Sequence, residues 1–265
     1  MLTPLQPHFR LHYRPLWFMT VTSFTLLHKG DDSMKHAGMI GGLGPEATMN
    51  YYQGIITRYQ DRQNSHTTLP ELMINSVNMY HMFDLIDNKQ FDETATYLAN
   101  AANQLQRGGA DFGFMCGLTP HVVFEQLQAK TTLPLISIID TALQHAKRLG
   151  VHRLGLLGTK FTMQGTFFSQ PFIDDGIEIV VPSPDQQTYV HDHLVTELEN
   201  GIVLPETKRG LLQIIKTLVD QQHIDGLVLG CTELPLILSQ QDFEFPVLDI
   251  AELHMDKITE LILAD

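Results

Sequence analysis

From Met34 onward the chain alternates short apolar runs with longer amphipathic stretches, the signature of βα units around a mainly parallel sheet. The apolar runs predict strands over 37–40, 72–77, 112–116 and 133–138, with helices over 91–107, 121–128 and 140–149. Gly41-Gly42-Leu43-Gly44 predicts a tight turn after the first strand. Pro45-Glu46 suits the start of the next helix, because Pro gives up no hydrogen bond there and Glu favours the helix dipole. The order then repeats, with strands over 153–157, 177–181, 227–229 and 247–250. Helices are predicted from about Thr162, over 191–200 and 206–222, briefly after Glu233, and over 252–263.

The repetition extends to the residues themselves. Ala110-Asp111-Phe112-Gly113-Phe114-Met115-Cys116-Gly117 aligns with Ile224-Asp225-Gly226-Leu227-Val228-Leu229-Gly230-Cys231 at a constant offset of 114, Asp111 against Asp225 and Gly117 against Cys231. Leu133-Pro134-Leu135-Ile136 echoes Phe245-Pro246-Val247-Leu248, and Gly38-Met39-Ile40-Gly41 echoes Gly155-Leu156-Leu157-Gly158. The expected fold is therefore α/β, with two similar domains, each a mainly parallel sheet flanked by helices. Residues 34–140 form the first, 141–250 the second, and 251–265 a last helix returning to pack on the first. In open parallel sheets, ligands bind beyond the carboxyl ends of the strands, where Gly41, Gly117, Gly158 and Cys231 fall.

Composition narrows the partners. The formal net charge of −13 over 265 residues excludes a phosphate-backbone binder, which needs clustered Lys and Arg. Two cysteines make no disulfide framework and place the chain in a reducing, cytoplasmic compartment. Residues 1–33 differ from the rest. Arg10 and Arg14 precede an apolar stretch, 16–27, that is broken by threonines, lacks a small-residue cleavage site and is too short to span a bilayer. Met34-Lys35-His36 reads as a natural start, so 1–33 is expected to be a non-native or disordered N-terminal extension.

Cys231, at a strand end and followed by Thr232-Glu233, occupies a place where amides and a helix dipole lower a thiol pKa and make a base or nucleophile. The plainer reading is a small buried hydrophobe. Thr119, Thr159, Thr162 and Thr232 start helices at the same strand ends, where hydroxyls and amides can hold a carboxylate or simply cap the helix. Gly42-Leu43-Gly44-Pro45-Glu46-Ala47 matches a dinucleotide fingerprint, although Pro45 removes an amide and Asp61 falls inside a helix. His191-Asp192-His193, the closest pair among thirteen histidines, points to different helix faces and reads as solvated, not as a metal site. His121 and His254 remain open as substrate-orienting or structural histidines.

Four stretches, Gly38 to Thr48, Leu118-Thr119-Pro120-His121, Leu156 to Met163 and Gly230-Cys231-Thr232-Glu233, together resemble the aspartate/glutamate racemase family. The resemblance implies a cofactor-independent, metal-free isomerase of two pseudo-symmetric domains, a homodimer, acting on a small acidic amino acid. It also implies two thiols on opposite faces of the substrate Cα. Cys231 matches the second-half catalytic cysteine; in the first half Gly117 and Leu118 stand where the family has cysteine and asparagine. Cys116 is adjacent, but strand alternation aims it into the packing, leaving it a secondary candidate. Gly42, Leu43, Leu118, Thr119, Thr159, Thr162, Thr232 and Glu233 are the expected substrate-binding residues. The extra Arg and Lys of archaeal aspartate racemases have no counterpart near Met82 and Thr188. A glycine opposite one cysteine also resembles arylmalonate decarboxylases, so a single-thiol decarboxylase or a carboxylate-binding protein is the alternative.

Overall fold

The computed structural model describes residues 34–264; the reading of 1–33 lies outside them. Eight strands form two four-stranded sheets. β1 (Ala37–Gly41), β2 (Leu72–Ser76), β3 (Phe112–Met115) and β4 (Leu135–Ile136) make the first, in the order β2-β1-β3-β4. β5 (Arg153–Leu157), β6 (Glu178–Val180), β7 (Gly226–Leu229) and β8 (Val247–Asp249) make the second, in the matching order β6-β5-β7-β8. Every pairing is parallel. The helices are α1 (Pro45–Gln63), α2 (Met79–Asp87), α3 (Phe91–Gly108), α4 (Phe124–Gln128) and α5 (Ile138–Leu149) around the first sheet and its exit. α6 (Lys160–Gln164), α7 (Thr166–Asp174), α8 (Pro184–Thr196), α9 (Pro205–Gln222) and α10 (Ile250–Ile262) complete the chain.

The repeated aspartates explain part of the sequence echo. Asp111 accepts the His36 amide at 2.7 Å while its own N–H donates to the His36 carbonyl at 2.8 Å. Asp225 accepts the His152 and Arg153 amides at 2.8 and 2.9 Å and donates to the Arg153 carbonyl at 2.9 Å. Each clamps the start of its strand to the central neighbour, so both sheets begin in one register.

The apolar face of α10, through Ala251, Met255, Ile258 and Ile262, enters the buried cluster around the first sheet. His254 on this helix is fully buried: its Nδ1 faces the Tyr51 hydroxyl at 3.0 Å and its Nε2 donates to the Ile136 carbonyl at 3.1 Å. The C-terminal helix thus joins α1 to the last strand of the first sheet.

Several elements differ from the sequence expectation. α2 was not anticipated; the Asn78 side chain caps it by accepting from the Tyr80 and His81 amides. α8 begins seven residues earlier than the expected 191, because Ser183 and Gln186 form a capping box across Pro184. Gly165 divides the predicted helix from Thr162 into α6 and α7. The stretch from His121 is a 3₁₀ turn, Thr119–Val123, before the short α4, and the helix after Glu233 is a single 3₁₀ turn, Leu234–Leu236. β4 stops early because Ser137 caps α5.

Candidate active site

The carboxyl ends of both sheets border a cavity of about 310 Å³, within the range of small-ligand sites. Leu43, Cys116, Gly117, Leu118 and Thr119 line it from the first half. Thr159, Thr162, Cys231, Thr232 and Glu233 line it from the second. Of the expected site residues only Gly42 stands back from it. Its φ of +74° is left-handed, and a Cβ there would lie 2.2 Å from the Val77 carbonyl oxygen, so the turn requires glycine. Its N–H is already used, donating to Thr48 Oγ1 at 2.8 Å. The turn therefore holds itself together and does not present that amide to a ligand. With Asp61 embedded near the end of α1, away from any strand end, the dinucleotide reading loses its acidic partner.

Gly117 also has a steric reason. A Cβ at this position would come within 2.8 Å of the Leu43 carbonyl oxygen. The position of the family's first cysteine is thus closed to any side chain while the turn at Leu43 stays in place.

Cys116 is fully buried within the first-half apolar cluster, in keeping with strand alternation. Its thiol nevertheless meets polar groups: Sγ lies 3.3 Å from Thr48 Oγ1. The Thr48 hydroxyl donates to the Gly44 carbonyl at 2.7 Å, so its lone pairs receive the Gly42 amide and the Cys116 S–H. Burial raises the Cys116 pKa, against the Leu43 and Cys116 amides, which favour the thiolate.

Cys231 differs from the expected activated thiolate. Its Sγ–H donates to Glu233 Oε2 at 2.8 Å, while Thr232 Oγ1 donates to Glu233 Oε1 at 2.6 Å. Burial first, and then the Glu233 charge, push the thiol well above its usual pKa. The helix dipole invoked for lowering it is missing because only a 3₁₀ turn follows. Glu233 therefore acts on its two neighbours and is not a free substrate-binding group. Cys231 rests as a protonated thiol with a carboxylate positioned to accept its proton.

The threonines divide into two roles. Thr159 caps α6, accepting the Thr162 amide at 3.4 Å, with the two hydroxyls 3.3 Å apart. Thr232 is committed to Glu233. Thr119 lines the cavity and its hydroxyl has no hydrogen bond among the described residues, which leaves it available to a ligand carboxylate. His121 is structural: its Nε2 accepts the Ile138 amide at 3.2 Å, so its Nδ1–H donates to the Gly117 carbonyl at 3.0 Å. Burial lowers its pKa to about 4 and keeps it neutral. It holds the Gly117 turn against the start of α5. His191 and His193 separate, the first accepting the Lys160 amide at 3.5 Å, the second facing Glu197 at 2.8 Å.

Residues not singled out from the sequence complete the walls: Met79 and Phe83 from α2, Ile138 from α5, Ile250 from α10, and Glu199. The capping residue Asn78 was the available signal for α2. Glu199 follows α8 in a 3₁₀ turn, Leu198–Asn200, and no local pattern marks it. Met82 is buried and, like Thr188, does not line the cavity. Among the described residues no group of three or more His, Cys, Asp or Glu could hold a metal ion, and no helix is long and apolar enough to cross a membrane.

Two parallel sheets of matching strand order, with a thiol at the carboxyl end of the second facing a glycine turn of the first, define a two-lobed α/β protein of the racemase type. Residues 40–258 match the family described as Asp/Glu/Hydantoin racemase, and the chain belongs to that family. It is 25% identical over 220 residues to the broad specificity amino-acid racemase RacX of Bacillus subtilis (strain 168), covering 80% of this chain and 91% of that one. It is also similar to the crystal structure of an aspartate racemase homologue from Pyrococcus horikoshii OT3, with 34% identity, a TM-score of 0.78, and coverage of 86% and 99%. The aspartate racemase of Picrophilus torridus shares the fold, with 23% identity, a TM-score of 0.62, and coverage of 85% and 94%.

Proposed function

We propose that this protein interconverts the enantiomers of an amino acid by thiol-based proton exchange at Cα, without a cofactor. The observation that carries the reading is Cys231 Sγ–H held 2.8 Å from Glu233 Oε2 at the wall of a cavity of amino-acid size. In one direction Glu233 takes the thiol proton and the Cys231 thiolate removes the Cα proton. The carbanion then takes a proton from the opposite face, leaving the donor deprotonated and the stereocentre inverted. Cys116 is the candidate donor, kept as a neutral thiol by burial, 3.3 Å from Thr48 Oγ1 and bordering the same cavity. Thr119 supplies a hydroxyl to hydrogen-bond the substrate carboxylate, which favours the negative charge that spreads into that group from Cα. The relatives named as amino-acid racemases support the same reaction class.

The test is chiral chromatography of single enantiomers of a panel of amino acids incubated with the purified protein. Racemisation lost in Cys231→Ser is the expected outcome. Turnover that survives that substitution contradicts the assignment.

A further inference from the structure

We propose that Thr48 is a positioning residue for proton transfer at the first-half face. Its hydroxyl accepts the Cys116 S–H at rest and donates to the sulfur once that proton has gone to the substrate. This rests on the racemase reading with Cys116 as the second-face donor, and it concerns a residue that touches the thiol from behind the cavity wall.

Thr48 lies in the first turn of α1 and is fixed by its neighbours. A Cβ on Gly41 would stand 2.9 Å from Thr48 Cγ2, so glycine at that strand end leaves room for the methyl group. Thr48 Oγ1 accepts the Gly42 amide at 2.8 Å, donates to the Gly44 carbonyl at 2.7 Å and lies 3.3 Å from Cys116 Sγ, a contact in which either atom can be the donor. The Gly44 carbonyl does not depend on the hydroxyl, because it also accepts the Thr48 backbone N–H at 3.0 Å. The hydroxyl hydrogen can therefore turn from Gly44 to the sulfur without stranding a polar group. Throughout, the oxygen stays in place and keeps the Gly42 amide.

That rotation is what proton transfer demands. As the Cys116 S–H bond breaks and its proton joins the electron pair at Cα, the sulfur changes from donor to acceptor and carries a charge within an apolar cluster. Without compensation the thiolate would draw the proton back. The Thr48 hydroxyl, having accepted the S–H, becomes a charge-assisted donor to the thiolate, beside the Leu43 and Cys116 amides. In the reverse direction it turns back as Cys116 takes up the Cα proton. The second half meets the same need with a carboxylate, Glu233, at 2.8 Å from Cys231 Sγ. Loss of the Thr48 hydroxyl should therefore disturb one face of the substrate. A threonine near a helix start often bonds back to its own i−4 carbonyl, but a role confined to that bond would weaken both faces alike.

The experiment follows both enantiomers of an amino acid racemised by the wild-type protein, each at early turnover in deuterated water, with wild type, Thr48→Val and Thr48→Ser. Chiral chromatography separates recovered substrate from product, and mass spectrometry reads Cα deuterium in each. Thr48→Val is expected to lower kcat about tenfold or more with little change in KM, as for loss of a hydrogen bond to a charged group. When Cys231 has taken the Cα proton and Cys116 is slow to answer, Cys231 returns a solvent deuteron to the face from which the proton came. The ratio of deuterium in recovered substrate to deuterium in product should then rise about fivefold or more for one enantiomer and stay unchanged for the other. Thr48→Ser, which keeps the oxygen, should restore most of both quantities. If urea unfolding shows that Thr48→Val does not fold, Thr48→Ala is read in the same way. A ratio that rises equally for both enantiomers, or for neither, overturns this inference and leaves the racemase reading standing. So does a Thr48→Ser variant as defective as Thr48→Val. Absence of exchange with every amino acid in the wild-type protein overturns the racemase reading and the inference together.

Discussion

At the residue scale, Gly117 and Glu233 determine what the two thiols can do. Because a Cβ on residue 117 would stand 2.8 Å from the Leu43 carbonyl oxygen, Gly117→Cys does not restore a missing catalytic group. Its expected effects are a loss of about 1–3 kcal/mol of stability, measured by urea unfolding, and reduced turnover. Improved racemisation in that variant would contradict the steric account. Glu233 acts in the opposite sense to a helix dipole, since its charge helps hold Cys231 protonated. Replacing it by Gln removes that charge, so Cys231 alkylation by iodoacetamide at neutral pH should accelerate severalfold while racemisation falls. Mass spectrometry of the alkylated peptide follows the first quantity and chiral chromatography the second. Slower alkylation would assign Glu233 a different role.

At the scale of elements, α10 and the turn at Gly117 depend on histidines that must stay neutral. Burial lowers His121 to about 4, and burial with the nearby His121 lowers His254 to about 3, from an ordinary 6.5. A depressed pKa gives stability that is present above the unfolded value and lost as pH falls through the folded one. Between pH 7.5 and 5 each histidine should therefore cost about 2 kcal/mol of unfolding free energy. Asp249, raised to about 6 by burial, shifts stability the other way, gaining about 1 kcal/mol over the same interval as it protonates. The net expectation is a urea midpoint clearly lower at pH 5 than at pH 7.5, and a smaller difference in a folded His254→Asn variant. A midpoint that is flat or rises toward pH 5 would contradict this balance. The strands behind these groups were legible in the sequence because buried parallel strands read as continuous apolar runs, bounded here by Gly41, Gly158 and Asp249. The helix starts were less legible. α2 and α8 are set by Asn78 and Ser183, side chains whose capping bonds leave no hydrophobic period to detect.

At the scale of the whole molecule, duplication makes the cleft and divergence between the copies gives it chemistry. Asp111 and Asp225 preserve one structural role in both halves, as the offset of 114 residues foretold, whereas Gly117 and Cys231 share a position and differ in what they present to the cleft. The thiol, the turns and the threonines were readable because they lie at strand ends, where fold and ligand site coincide. The charge of the cleft was not. Glu199 reaches it from a 3₁₀ turn remote in sequence from every motif, and only the tertiary arrangement brings it beside Glu233. The central claim is that protons enter and leave Cα from opposite faces of this cleft. Early turnover in deuterated water, with a substrate identified by the amino-acid panel, tests it most directly. Two-face exchange predicts that the product enantiomer carries one solvent deuterium at Cα while recovered substrate stays protiated, with both signals lost in Cys231→Ser. Deuterium appearing in recovered substrate as fast as in product, or product that retains the original hydrogen, would contradict it.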